Sequence, residues 1–343
     1  MDWVIVIVAS APGKVIILGE HAVVHYKLGM AVSIGKRAYV TVSGGKEKVT
    51  IESKNLGLKK SLSEKELFIL LRKIEELKAK KDFNGIKKAG DEDKLLASFF
   101  VVAKLAEKFG FHGLEISIDS EIPKNLGSSS AVFSAIVLGA STLLGKELSK
   151  KDISEIANEG DVIAHGGLPS GIDANTVTFG GYVQYKKPEI KPLEINFEIP
   201  LLIVDSGEET KTAETVPYID KLKREKPELV EGVLERLNEI SHLGLEAIKL
   251  QNLEEIGRLM TSYYWELRKL NISTANLDEI IQIALENQAL GAKPTGGWGG
   301  GCCIVLIKDR EQGEKLKAMF EKRGFRVFET RLGVEGVRIE KII

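Results

Sequence analysis

A lysine, a histidine, two carboxylates and a run of serines all stand beside glycine in this chain, and together they could move a phosphoryl group. Lys14 follows Pro12-Gly13, Glu20 and His21 follow Gly19, Ser128, Ser129 and Ser130 follow Gly127, and Asp173 closes the loop HGGLPSGID. Phosphoryl transfer to an alcohol needs a group that takes the hydroxyl proton, a cation near the developing charge, Mg²⁺ on the phosphates, and close placement of both substrates. Asp173 and Lys14 are of the types that supply the first two. Each residue also has a plainer reading: Lys14 as a solvated strand-end charge after a Pro-Gly turn, Glu20 as a turn residue, Asp173 and the serines as caps. Their joint attachment to glycine loops favours the chemical reading.

The glycines fall into clusters, APGKVIILGEHAVV, NLGSSSA and GAKPTGGWGGGCC. In the second cluster a Gly-Ser loop runs directly into an apolar tract with no charge until Lys146, which reads as a buried helix. Backbone N–H groups in the first turn of such a helix lack partners and face the positive end of the macrodipole, so that turn suits an anion. The clusters contain neither GxxxxGK[ST] nor GxGxxG, which excludes the P-loop and dinucleotide designs. One nucleotide site accounts for several places of close backbone approach better than separate turns do.

These groups need elements to hold them. Val-rich and Ile-rich stretches broken by glycine, VIVIVASAPGKVIILGEHAVV, MAVSIGKRAYVTVSG and KVTIES, read as strands. Ser63 and Glu66 form a capping box for a helix through Leu77, a second helix runs from about 93 to 109, and a third from about 151 to 163. NTVTFGGYVQY reads as a strand pair with Asp173 at its start, and the proline-containing KKPEIKPLEINFEIP reads as a domain boundary. Beyond it come LLIVD, long helices near 227–250, 253–269 and 277–289, the strand CCIVLI, a helix to Arg323 and the strands FRVFETRL and EGVRIEKI. This order gives an α+β fold in two domains, 1–190 and 191–343.

Composition narrows the partners. The 343 residues carry 48 Lys plus Arg against 49 Asp plus Glu, a net charge of -1 without a long run of one sign. That balance argues against nucleic acid or an anionic membrane and for small-molecule chemistry. No stretch is long and apolar enough to span a bilayer, and the short apolar start lacks a basic n-region. The adjacent Cys302 and Cys303 sit in a buried strand rather than a disulfide framework, which fits a reducing cytoplasm.

The segments PGKVIILGEHAVVHYKLGMAVSI, NLGSSSA, HGGLPSGIDANTVTFGG and GAKPTGGWGGGC resemble the ordered motifs of the GHMP kinase superfamily, and GEHAVV with PSGID and FGG resembles its mevalonate kinase branch. The resemblance implies a ribosomal-S5-like N-terminal domain, a ferredoxin-like C-terminal domain and an active site between them. It implies a Mg²⁺-dependent kinase that uses ATP and a small-molecule alcohol, mevalonate, and it makes a homodimer the expected assembly. The implied roles are Asp173 as base and Lys14 as its partner on the hydroxyl. Pro123, Asn125, Leu126, Gly127, Ser128, Ser129, Ser130 and Ala131 form the implied nucleotide loop, Ser129 and Asp161 the metal ligands, and Glu20, His21, Thr212 and Gly296 the substrate side. Other kinases of the superfamily, or a ligand sensor without catalysis, share the scaffold. Two features depart from the family pattern: a loop before Asp173 that is one residue longer, and Trp298 in a run of small residues, where the loop bulges, the indole shapes the pocket, or it packs on the opposite domain.

Overall fold

The first long apolar run of the chain becomes one strand, and the rest of the N-terminal half is laid against it. The computed structural model describes residues 5–167, 169–195, 197–209 and 212–343, without the side chains of 212–214 and 216. Strands β1 (Val6–Leu18), β2 (Gly29–Gly44), β3 (Lys48–Ser53) and β4 (Leu58–Ser63) come first. Helices α1 (Glu64–Ala79), α2 (Phe83–Glu92) and α3 (Leu96–Phe109) lead to β5 (Leu114–Ser120). Then follow α4 (Ser128–Leu143), α5 (Lys150–Ala164), α6 (Ile172–Phe179) and the hairpin β6 (Tyr182–Lys186) with β7 (Glu189–Leu193). The C-terminal half holds β8 (Leu201–Asp205), α7 (Thr212–Glu225), α8 (Pro227–Lys249), α9 (Leu253–Arg268) and α10 (Ala275–Glu286). It ends with β9 (Gly291–Thr295), β10 (Cys302–Leu306), α11 (Arg310–Lys322), β11 (Arg326–Phe328) and β12 (Arg338–Ile342).

These strands make an eight-stranded sheet, ordered β12-β1-β2-β5-β3-β4 with the β6–β7 hairpin on β2, and a four-stranded antiparallel sheet ordered β11-β8-β10-β9. On the edge opposite β1, the first half of β2 pairs with β6 and the second half with β5, so that one edge serves two neighbours. α4 is apolar on every side and is buried along nearly its whole length against β1, β2, α3 and α5. Each fully buried Val, Leu or Ile contributes about 1.5–3 kcal/mol, so this packing fixes where the N-terminus of α4 points.

Four sequence expectations differ from the structure. Pro12-Gly13 is a register shift within the continuous strand β1 rather than a turn between strands. NTVTF is helical, so Asp173 lies in the first turn of α6 and not at the start of a strand. Local bonding and tertiary packing together override strand propensity: Thr176 donates back to Ile172 O within the helix, and Thr178 meets Ser134 Oγ of α4 at 2.9 Å. The proline-containing segment read as a boundary carries a strand, β7, that closes the first sheet before β8 opens the second, and EGVRIEKI returns as β12 to pair with β1. Arg37 explains that return, because its buried guanidinium donates to Glu335 O and Gly336 O and to Ser10, clasping the C-terminal segment onto the first sheet.

Candidate active site

The glycine clusters converge at the end of β1. Lys14 N donates to Leu126 O at 2.8 Å, and a Cβ on Gly13 would stand 2.8 Å from that same oxygen, so only glycine lets the second cluster lie this close. Gly127, with φ +79, is the N-cap of α4, and the Lys14 side chain passes where its Cβ would be, at 2.9 Å from Cγ. The third cluster joins through Thr295, whose Oγ1 accepts from Ile16 N at 2.8 Å. Gly296 follows with φ +93, its Cβ direction facing Asn125 O.

At this junction Lys14 Nζ lies 2.9 Å from Asp173 Oδ1, with Lys14 2% and Asp173 20% exposed. The pair lines a cavity of about 230 Å³ together with Glu20, His21, Asp161, His165 and Gly296. Ser128 and Ser129 line a second cavity of about 350 Å³ with Asn55, Lys87, Lys94 and Ser120, and His165 and Gly166 border both. An anion at the first turn of α4 and an alcohol beside Asp173 would thus be neighbours. Pro123 and Asn125 are half-buried in the loop before α4, Asn125 at φ +70, while Leu126 and Ala131 are packed in the core. The serines occupy the first turn of α4 without any side-chain cap.

Asp161 is fully buried on α5, and it is Ser130, not Ser129, that donates to it, at 2.9 and 2.7 Å from its two oxygens. Burial raises the Asp161 carboxyl to about 6; His165 and Ser130 oppose the shift and the nearby Asp173 adds to it. Two neighbouring carboxylates with serine hydroxyls at hand are hard oxygen donors that a divalent cation would satisfy. Mg²⁺ commonly takes one or two carboxylates plus substrate phosphates. The described residues include no group of three His, Cys, Asp or Glu suited to a metal.

Glu20 and His21 follow β1 in a tight turn, His21 at φ +60. Glu20 is sealed against Lys293 of β9, with both side chains 0% exposed, and Lys293 also donates to Pro294 O at 2.7 Å. Burial pushes the Glu20 carboxyl up and the Lys293 ammonium down, each opposed by the charge of the other. Tyr263 of α9 donates to Glu20 O at 2.9 Å. The His21 imidazole is lowered to about 4 by burial and then by His25, while the Gly297 carbonyl favours its protonated form. Thr212 begins α7, and its side chain lies outside the described residues; the longer loop before Asp173 includes Leu168, which also lies outside them. From α7, Pro217 and Asp220 reach the first cavity. Lys293 lies inside a glycine cluster legible in the sequence, whereas Tyr263, Pro217 and Asp220 carry no local signal there.

Residues 95–181 match the GHMP kinases N-terminal domain, and residues 245–326 match the GHMP kinases C-terminal family. Among known proteins, the mevalonate kinase of Thermococcus gammatolerans is 33% identical over 98% of this chain and 99% of its own length. That of Pyrococcus furiosus is 32% identical over 98% and 99%. The crystal structure of the Methanococcus jannaschii mevalonate kinase superposes with a TM-score of 0.77 at 25% identity, covering 95% of this chain and 98% of that one. Fold and matched segments together define a GHMP kinase. Within that class, the chain belongs to the mevalonate kinase family.

Proposed function

We propose that this protein transfers the γ-phosphoryl group of ATP to the C5 hydroxyl of mevalonate, giving 5-phosphomevalonate and ADP. The observation that carries the reading is the Lys14–Asp173 pair, set in the wall of a cavity that adjoins the N-terminus of α4. The hydroxyl oxygen attacks the γ-phosphorus, its proton passes to Asp173, and the bond to the bridging oxygen of ADP breaks. Lys14 orients the carboxylate and places a positive charge beside the reacting oxygens. The first turn of α4, Gly127 to Ser130, would receive the triphosphate through its free N–H groups, with Pro123, Asn125, Leu126 and Ala131 setting the loop. His21, Gly296 and Thr212 would face mevalonate, with Glu20 behind them in the same wall, held by Lys293. Ser129 and Asp161 would hold Mg²⁺, with Ser130 orienting Asp161, and the ion when bound neutralises charge on the phosphates.

The two halves of the chain, about 1–190 and 191–343, would act as nucleotide and acceptor domains, apart from the returning β12. Both cysteines are free and buried, which supports a cytoplasmic location, and no helix among the described residues is long and apolar enough to cross a membrane. A homodimer is the assembly we expect, and light scattering on the purified protein tests it. The functional test offers mevalonate, phosphomevalonate, galactose and homoserine in parallel with Mg·ATP, follows ADP release and locates the new phosphate by phosphorus NMR. Phosphate on the C5 oxygen of mevalonate is the expected result. Turnover of a different alcohol, or ATP binding without turnover, overturns it in favour of another kinase or a sensor.

A further inference from the structure

Trp298 is the one bulky residue in the run TGGWGGG, and its backbone has φ +59, a left-handed region that disfavours any residue with a Cβ. Glycine would hold the turn without strain, as it does at neighbouring positions, so the indole must do something that outweighs the backbone cost. The side chain is 0% exposed and does not line the acceptor cavity. Its ring instead meets His21 edge-on, with centroids 6.4 Å apart and planes at 80°. The indole also stacks on Tyr264 of α9, at 6.1 Å and 29°. Tyr264 is itself fixed, its hydroxyl donating to Asp278 Oδ1 at 2.7 Å. The loop around Trp298 is pinned as well: Thr215 Oγ1 donates to Gly297 O at 3.0 Å, and Gly299 N to Ile272 O at 3.1 Å.

His21 needs such a support. It lines the acceptor cavity from a left-handed turn, and its buried Nε2 has no hydrogen-bond partner among the described residues. The Gly297 carbonyl meets one side of the ring, and packing shares in orienting the imidazole from the other. We propose that Trp298 is a positioning residue for the acceptor site: its indole, braced on Tyr264, holds the His21 imidazole in the wall of the pocket across the junction of the two halves of the chain. An indole that only filled core space would contribute to stability and leave the reaction alone. The proposal rests on the reading of this cavity as the alcohol site, and its test is built to fail separately from that reading.

Two variants make the test. Trp298→Gly removes the ring while suiting the backbone, and Trp298→Leu keeps bulk without an aromatic edge. For the folded variants, the Michaelis constant for mevalonate is expected to rise about tenfold for Trp298→Gly and severalfold for Trp298→Leu, the range an aromatic contact is worth, with that for ATP unchanged. In a His21→Asn background the same substitutions should add less than about twofold, since the group being positioned is gone. The nitrogen shifts of the His21 imidazole in the free protein should move in Trp298→Leu, a readout that needs no substrate. Unchanged imidazole shifts and an unchanged Michaelis constant, with only the melting temperature lowered, overturn the proposal, as do equal effects with and without His21. Absence of wild-type turnover with mevalonate sinks the functional reading instead, and the imidazole shifts then decide the positioning claim alone.

Discussion

Two lysine–carboxylate pairs grow from β1 and the turn that follows it, and they differ in one respect. Lys14 and Asp173 leave the carboxylate 20% exposed to a cavity, while Lys293 and Glu20 are both 0% exposed. The open pair keeps an oxygen where an alcohol could meet it. The sealed pair joins β9 to the end of β1, backed by Tyr263, so its energy goes into holding the two sheets together at the site. Identical chemistry thus becomes a reactive group or a joint according to access. A buried pair is not intrinsically stabilising over apolar residues, but breaking one leaves an unpaired charge, which is strongly destabilising.

Substitutions that break one pair at a time sharpen the contrast. Lys293→Ala should lower the unfolding free energy by about 3–5 kcal/mol, measured by denaturant titration, and Glu20→Gln placed on top of it should restore part of the loss. Equal stability in Lys293→Ala and wild type would mean that the sealed pair is no joint. Lys14→Met should reverse the pattern, with turnover reduced by about 10² and little change in the denaturation midpoint, because the Asp173 carboxylate remains solvated. A stability loss as large as that of Lys293→Ala would erase the distinction.

Acid provides a third test. The buried imidazole of His21 has its pKa lowered from 6.5 to about 4, so the unfolded state binds the proton more readily. The contribution of His21 is therefore full above pH 6.5 and is lost as pH falls from there toward about 4. His21→Asn should flatten the stability profile in that window by about 3 kcal/mol, and an unaltered profile would show that the imidazole is not held neutral. The smallest expected effect is remote from both pairs. Ser63→Ala removes the capping box of α1 and should cost about 1 kcal/mol of stability with unchanged kinetics.

The chemistry of the site was more legible than its geometry. Glycine beside Lys14, Ser128 and Asp173 marked places where backbone comes close, and the first cavity and the turn of α4 gather those residues. The capping box at Ser63 and the limits of α8 were readable to within a residue, because caps and helical spacing are local signals. What was not readable depended on distant contacts. Pro12-Gly13 resembles a turn locally, yet it runs on within β1 opposite two residues of β2 that are unpaired with β1, with Lys14 N donating to Leu126 O beside it. Val177 and its threonine neighbours prefer strands but are packed as α6, and α7 forms around Pro217 despite the helix-breaking residue. The return of β12 depends on Arg37, some three hundred residues earlier in the chain. That Ser130 rather than Ser129 bonds Asp161 follows from helix phase, since adjacent residues point in different directions.

The most direct measurement is single-turnover phosphoryl transfer from ATP to mevalonate by Asp173→Asn, with ATP affinity determined on the same preparation. Near-normal ATP binding, an unchanged fold and a rate lower by about 10² or more, the scale of a positioned base, are expected. A rate within a few-fold of wild type would contradict that role for Asp173, leaving the open pair a second joint and placing the reaction elsewhere.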